Sequence, residues 1–288
     1  MRKICLTLCL VYLIAANSEA SDANSSLRLN FLISPKQEKF DAAPLSFQLQ
    51  AKLVELFHRK EIYVIVAKSS EDMVKQITAI LEKRNAMIGN IWFDSHGHFT
   101  RRRSLFEIGT EEFNFQSIRD TCFTMHLKKL AAYCDTNTNA GIGSCYGGAT
   151  YTLPAIEEFP AQRMNGDSLM IELSELLNNA TVYGCESFVL TGPGILRGSY
   201  AFAGNPWRRK FKDQVYAPVW EKLGEWNCYS GKKKKLEEPV TVSLQPNGKI
   251  STKKVNYLAF EKNKLKWIKK MQRLKNGNYN LAFLYQND

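Results

Sequence analysis

The sequence predicts an α/β fold: a mostly parallel sheet with helices on both faces, followed by a smaller basic C-terminal region containing a β-hairpin. Three observations lead there. Between about residues 27 and 190, short β-branched runs alternate with amphipathic stretches. Several of those runs are almost continuously apolar, as in strands buried on both faces. The excess of positive charge lies beyond residue 207, where 19 Lys and Arg stand against 7 Asp and Glu.

The elements follow in chain order. Residues 27–34 (LRLNFLIS) alternate and read as a strand. Residues 44–58 place Leu45, Phe47, Leu49, Leu53, Val54, Leu56 and Phe57 at helical spacing. Residues 62–67 (IYVIVA) form a buried strand. Residues 69–83 form a helix capped by Ser69 or Ser70, with acids in its first turn and Met73, Ile77, Ile80 and Leu81 on one face. Residues 87–94 (MIGNIWFD) give the next strand, and 104–109 an edge strand or hairpin arm. One helix is expected over 115–133, a short strand over 139–144 and a helix over 168–178 carrying Leu169, Ile171, Leu173, Leu176 and Leu177. A fifth strand is expected over 181–190. Strands and helices alternating at this spacing imply right-handed βαβ units. Beyond them, Gly192-Pro193, Asn247-Gly248 and Asn276-Gly277 are turn signals, and 240–244 with 255–260 predict a hairpin around Asn247 and Gly248.

The N-terminus reads as a secretory signal over residues 1–20: Arg2 and Lys3, an apolar core over 4–16, then Ser18 and Ala20 before the cut. The expected organisation is this signal, a main domain over 21–206 and the basic region over 207–288. No later stretch reaches the ~18 apolar residues of a membrane helix, so the expected location is secreted or periplasmic. A composition of 44% hydrophobic and 23% charged residues excludes a mainly disordered chain. The net charge of +11 and the lysines at 232–235 and 262–275 suit an anionic surface or polymer. No zinc-finger, OB-type or helix-turn-helix signature accompanies them, and Trp207, Trp220, Trp226 and Trp267 suit a core as well as base stacking.

Five cysteines remain after the signal: Cys122, Cys134, Cys145, Cys185 and Cys228. The odd number leaves one free unless chains are cross-linked. No CxxC spacing suggests structural zinc, and neither metal nor cofactor is expected. Cys122 and Cys134 would lie about 18 Å apart along one helix, too far to bond; Cys185 with Cys228 is the expected pair.

Ligands of open α/β sheets bind beyond the carboxyl ends of the strands. Two such ends carry reactive groups: Asp94-Ser95-His96-Gly97-His98 and Gly143-Ser144-Cys145-Tyr146-Gly147-Gly148. Cys145 is the candidate nucleophile and His96 the acid/base. The N–H groups of Gly97 and Cys145 are candidate oxyanion donors, and a helix starting after Cys145 is expected to help ionise the thiol. All four histidines, His58, His96, His98 and His126, precede Cys145. Papain-type enzymes, α/β-hydrolases and class I glutamine amidotransferases place the histidine after the nucleophile. Chymotrypsin-like enzymes need two β-barrels, which the helices exclude.

With strand-His96-Gly97 followed 49 residues later by strand-Ser144-Cys145, the chain resembles the superfamily of caspases, legumains, clostripains and gingipains over about residues 27–200. The resemblance implies a caspase-like sheet and a cysteine endopeptidase acting on protein or peptide substrates. It also implies a His96–Cys145 dyad, Gly97 in the oxyanion region and a deep pocket for the P1 side chain preceding the scissile bond. The Gln-Ala-Cys-x-Gly signature of caspases is absent, so strict Asp specificity is not implied; Asp94 and Glu186 are candidate acids for a basic P1 residue. Two other readings stand beside it. Asp94, His96 and His98 alternate as a metal site of a hydrolase would, with His126 or a distant carboxylate to complete it. Alternatively, the chain is a non-catalytic member that binds a partner.

Overall fold

The computed structural model describes residues 26–36, 44–97, 103–153, 160–187, 189–190, 202–203, 225–236, 238 and 240–254. The signal segment, His98, the Gly192-Pro193 and Asn276-Gly277 turns, Trp207, Trp220, Trp267, residues 255–260 and the lysines of 262–275 lie outside them.

The chain is a mixed α/β protein built on a mostly parallel, curled sheet. The strands β1 (Arg28–Pro35), β2 (Tyr63–Ala67), β3 (Met87–Phe93), β6 (Asn139–Ile142) and β9 (Thr181–Cys185) run parallel in the order β2-β1-β3-β6-β9. Three strands of the basic C-terminal region continue this sheet in antiparallel sense. β12 (Trp226–Ser230) pairs with β9, β14 (Val240–Leu244) with β12, and β15 (Ile250–Lys254) with β14. β13 (Lys233–Lys234) folds back on β12 at Gly231. Outside this sheet, β4 (Leu105–Ile108) and β5 (Glu111–Asn114) form a hairpin. β7 (Thr152–Leu153) pairs with β8 (Gln162–Arg163), and β10 (Val189–Leu190) with β11 (Phe202–Ala203).

The alternation of side chains decides what each face meets. Phe31, Ile33, Ile65, Ile91, Phe93, Ile142 and Val182 point to one face and pack with helices α2 (Ser70–Arg84), α3 (Thr121–Lys128) and α4 (Gly166–Leu176). α2 matches its sequence signals. Ser69 Oγ accepts the Asp72 N–H at 3.2 Å, Met73, Ile77 and Leu81 are buried, and Asn85 closes the helix at φ +47°. Leu32 and Trp92 point to the other face, where they meet Val54 of α1 (Pro44–His58) and Trp226, Val240, Val242 and Leu244. The β14–β15 hairpin therefore curls over the sheet, so this second face is covered by a helix and a hairpin together. The hairpin is fastened at Asn30 and Asn90. Asn30 Nδ2 donates to Asn247 O at 3.3 Å, Asn90 Nδ2 to Asn30 Oδ1 at 2.8 Å, and Ile250 N–H to Asn90 Oδ1 at 3.1 Å.

Four sequence expectations are corrected. The helix expected over 115–133 is broken into a 3-10 turn (Ser117–Arg119), α3 and a second 3-10 turn (Lys129–Tyr133). Side chains cause the break: Asn114 Oδ1 accepts the N–H of Gln116 and Ser117, and Asp120 Oδ1 those of Cys122 and Phe123. The strand expected over 181–190 ends at Cys185, whose Sγ accepts the Ser187 N–H at 3.3 Å; β10 then pairs elsewhere. The return arm of the C-terminal hairpin is β15, at Ile250–Lys254, directly after a turn closed by Gly248 at φ +78°. Cys185 and Cys228 do not pair; none of the five cysteines is in a disulfide. In the β9–β12 register Cys185 stands opposite Trp226, and Cys228 opposite Tyr183. The two cysteines are thus diagonal neighbours about 7–8 Å apart, beyond disulfide reach.

Candidate active site

β3 and β6 are adjacent and parallel, with Phe93 opposite Ile142. Their carboxyl ends release the two reactive segments side by side. The Gly143 N–H donates to Phe93 O at 2.7 Å and the Asp94 N–H to Ile33 O at 2.9 Å, extending the ladder past the strand ends. The segments then converge. A Cβ placed on Gly97 would lie 2.8 Å from the Cys145 nitrogen, 2.6 Å from its carbonyl carbon and closer still to its oxygen. Only glycine lets the two backbones touch there. His96 and Cys145 are thereby carried by abutting pieces of chain, as their places after successive strands imply. His98 lies outside the described residues, so its place relative to Asp94 and His96 is not part of this geometry.

The β4–β5 hairpin braces both exits. Ser95 Oγ accepts the Glu107 N–H at 3.0 Å, Ser144 Oγ donates to Leu105 O, and Ser104 Oγ donates to Ala149 O at 3.0 Å. Sequence reasoning gave these serines no role; their hydroxyls are recognisable only once the hairpin is folded against the strands. No helix starts at Cys145. Residues 145–148 are consecutive turns, with Tyr146 at φ +60°, so no helix N-terminus acts on the thiol and that expectation is corrected. Tyr146 is fully buried, and this left-handed turn is held by Tyr146 N–H to Ser187 O at 2.7 Å and Gly148 N–H to Cys185 O at 2.8 Å. A Cβ on Gly148 would lie 2.8 Å from Gly184 Cα, so the turn packs on β9 without space for a side chain.

Cys145 itself is half-buried. Its Sγ accepts the Val189 N–H at 3.4 Å, and the thiol donates to Val189 O at 3.8 Å. The other thiols differ in setting. Burial pushes Cys134 and Cys228 up to about 12 and Cys185 well above the ordinary thiol range, so all three stay protonated at neutral pH. Cys122 is exposed on the first turn of α3. Cys145 is thus the one cysteine at the carboxyl ends of the central strands that water also reaches.

Of the two candidate acids, Glu186 is committed elsewhere. It is 4% exposed and accepts hydrogen bonds from Thr150 Oγ1 at 3.0 Å, from Thr150 N–H at 3.4 Å and from Asn227 Nδ2. Asn227 also donates to Gly148 O at 2.9 Å, so the carboxylate braces the turn after Cys145. Asp94 is 3% exposed at the end of β3. His126 stands beside Glu71 of α2, with Nε2 4.0 Å from Oε2, on the helical face of the sheet. Among the described residues no three His, Cys, Asp or Glu side chains are grouped to hold a metal ion.

No protein-family model, no curated protein and no solved structure matches the chain.

Proposed function

We propose that the chain is a cysteine endopeptidase using His96 and Cys145. The observation that carries this reading is the contact of Gly97 with Cys145, which places a histidine-bearing and a cysteine-bearing strand exit against each other. The Cys145 thiol gives its proton to His96, and Sγ attacks the scissile carbonyl carbon, forming the C–S bond. The oxyanion meets the N–H groups of Cys145 and Gly97. His96 returns the proton to the departing amine as the C–N bond breaks. Water, deprotonated by His96, then adds to the thioester; the carboxylic acid leaves and the thiol is restored. An iodoacetamide-type probe tests the reading, with mapping of the labelled cysteine and peptide hydrolysis assayed with and without a chelator. Selective labelling of Cys145 and chelator-resistant hydrolysis are expected. Hydrolysis abolished by the chelator, with Cys145 unlabelled, points instead to a metal held by Asp94, His96 and His98.

The histidines separate the same two readings. His96→Ala is expected to lower kcat/KM for peptide by about 10²–10⁴, the range for loss of a general acid/base, with His98→Ala within a fewfold of the parent. A dead His98→Ala accompanied by loss of bound metal in elemental analysis reverses the assignment.

The basic region supports a second, separate proposal: attachment to an anionic polymer or membrane surface, as suits a secreted or periplasmic protein. Lys232, Lys233, Lys234 and Lys235 are all exposed on and around β13, and among the described residues Lys232 alone lies within ion-pair distance of an acid, Glu175 at 3.9 Å. No described helix is long and apolar enough to cross a membrane. Screening over about 8 Å at physiological salt makes such attraction salt-sensitive. Replacing the four lysines by Gln is expected to release the protein from a heparin column at lower salt while peptide hydrolysis is unchanged. Identical elution of both proteins rules out this surface.

A further inference from the structure

We infer that the outer edge of β2 is a self-association surface, on which a second copy of this chain adds its own β2 antiparallel about a two-fold axis through Ile65. The inference is independent of the peptidase reading.

β2 is the last strand of the central sheet, and among the described strands it pairs with β1 alone. The parallel ladder fixes which of its backbone groups are used. The Lys36 N–H donates to Ala67 O at 2.7 Å. Tyr63, Ile65 and Ala67 therefore bond β1, and Val64 and Val66 turn their N–H and C=O groups outward. Both ends of this edge are closed: the Ile62 N–H donates to His58 O at 2.9 Å, and the Lys68 N–H to Asp72 Oδ2 at 3.0 Å. Between them, Val66 O accepts Gln76 Nε2 at 3.3 Å and keeps a second lone pair. Among the described residues, the N–H and C=O of Val64 and the N–H of Val66 meet no other backbone. Natural sheets blunt such an edge with charge, proline or a bulge. β2 (YVIVA) carries no charge and no proline, and it pairs with β1 without a register shift.

The surroundings identify the occupant. Five large apolar side chains are exposed among the described residues, and three of them belong here: Leu56 at 69%, Phe57 at 54% and Val66 at 37%. Val64 stands opposite Leu32, so Val64 and Val66 point to the face that α1 covers. Leu56 and Phe57 lie in the last turn of α1, which leads to the amino end of β2, whereas Val66 is near its carboxyl end. An antiparallel copy sets these two ends side by side, so Leu56 and Phe57 of each chain reach toward Val66 of the other. Its register pairs Val64 with the second copy's Val66, each N–H donating to the other's C=O, and the axis repeats the pair. The charges agree. Exposed Arg59 and Lys60 precede β2, and Glu71 and Asp72 follow it. Antiparallel addition brings Arg59 toward the second copy's Glu71, where parallel addition would set like charge beside like. Glu61 and Lys68, of reversed sign at the two ends, are opposed in the same way.

Sedimentation equilibrium of the full chain across the micromolar range tests this, with hydrogen exchange of the Val64 and Val66 amides. A dimer is expected, and both amides should exchange more slowly as concentration rises. Val66→Lys places a charge on the edge and is expected to weaken association by at least about tenfold. Arg59→Glu and Glu71→Arg are each expected to weaken it by about fivefold, since the two-fold axis turns two attractions into two repulsions. An equimolar mixture of these two variants is expected to associate about as tightly as the parent, because each chain then meets only opposite charge across the axis. A folding defect in either variant is not repaired by mixing, and these exposed positions carry the test if Val66→Lys does not fold. A monomer at every concentration, or a dimer that none of the substitutions weakens, overturns the inference. So does equal protection of the two amides at all concentrations, which means that the chain's own residues cover the edge.

Discussion

Cys145→Ala is expected to reduce peptide hydrolysis by at least about 10³-fold while leaving a folded protein. The loss is large because removing the attacking atom leaves only substrate binding and oxyanion stabilisation, which by themselves give a small residual rate over water. The fold survives because the side chain is half-buried and the contacts of its sulfur with Val189 are long, at 3.4 and 3.8 Å. Those contacts contribute about 1 kcal/mol at most, which for a chain of this size moves Tm by a few degrees. The position of residue 145 is fixed independently of its side chain, by the backbone bonds of Gly143 to Phe93 and of Tyr146 to Ser187. Hydrolysis assays and thermal melts on the same preparation check both halves. An unchanged hydrolytic rate removes Cys145 from the chemistry, and with it the dyad.

The parts of the fold legible in the sequence are those written in local patterns. Helix α1 spans residues 44–58 as its apolar spacing predicts, and Ser69 caps α2 as the serine followed by acids predicts. β14 occupies 240–244 as its β-branched run predicts. The misread segments are those where a side chain or a distant strand overrides the pattern. Apolar spacing over 115–133 is helical, yet Asn114 and Asp120 capture the N–H groups a single helix would need. The return arm of the hairpin was expected at the more apolar 255–260. It lies instead in the polar, partly exposed Ile250–Lys254, because the tight turn at Gly248 sets the register before hydrophobicity can. The pairing of β12 with β9 joins residues 41 to 49 positions apart in antiparallel sense, and nothing in either strand announces its partner. That same register is why Cys185 meets Trp226 rather than Cys228. At the candidate site, the adjacency of the segments carrying His96 and Cys145 is legible because each follows a buried strand of the parallel sheet, and strand ends are where open sheets place ligands. Ser95, Ser144, Glu186 and Asn227 were not, because their roles exist only in contacts across 12 to 41 residues.

Gly97→Ala is expected to have the next largest effect after loss of the nucleophile, by a different route. The added methyl would sit 2.8 Å from the Cys145 nitrogen and 2.6 Å from its carbonyl carbon, where ordinary contact begins near 3.4 Å. The obstacle is backbone on both sides, with the Cys145 carbonyl oxygen nearest of all, so no side chain can swing away and the two strand exits must separate by more than 1 Å. Overpacking of this kind costs about 1–3 kcal/mol, and a 1 Å misplacement of reacting groups costs about 10²-fold in rate. Gly97→Ala is therefore expected to fold with a lowered Tm and to lose about 10²-fold or more in kcat/KM, although His96 and Cys145 are both present. Gly89→Ala is the matched control on β3. A Cβ there meets Arg28 Cβ and Asn30 Oδ1, both at 3.1 Å, a crowding that calls for a shift of only a few tenths of an ångström. It is expected to keep hydrolysis within about twofold of the parent and to cost less than 1 kcal/mol. Hydrolysis at the parent rate by a folded Gly97→Ala protein means that the two exits need not touch for catalysis, and the contact that carries the peptidase reading loses its force.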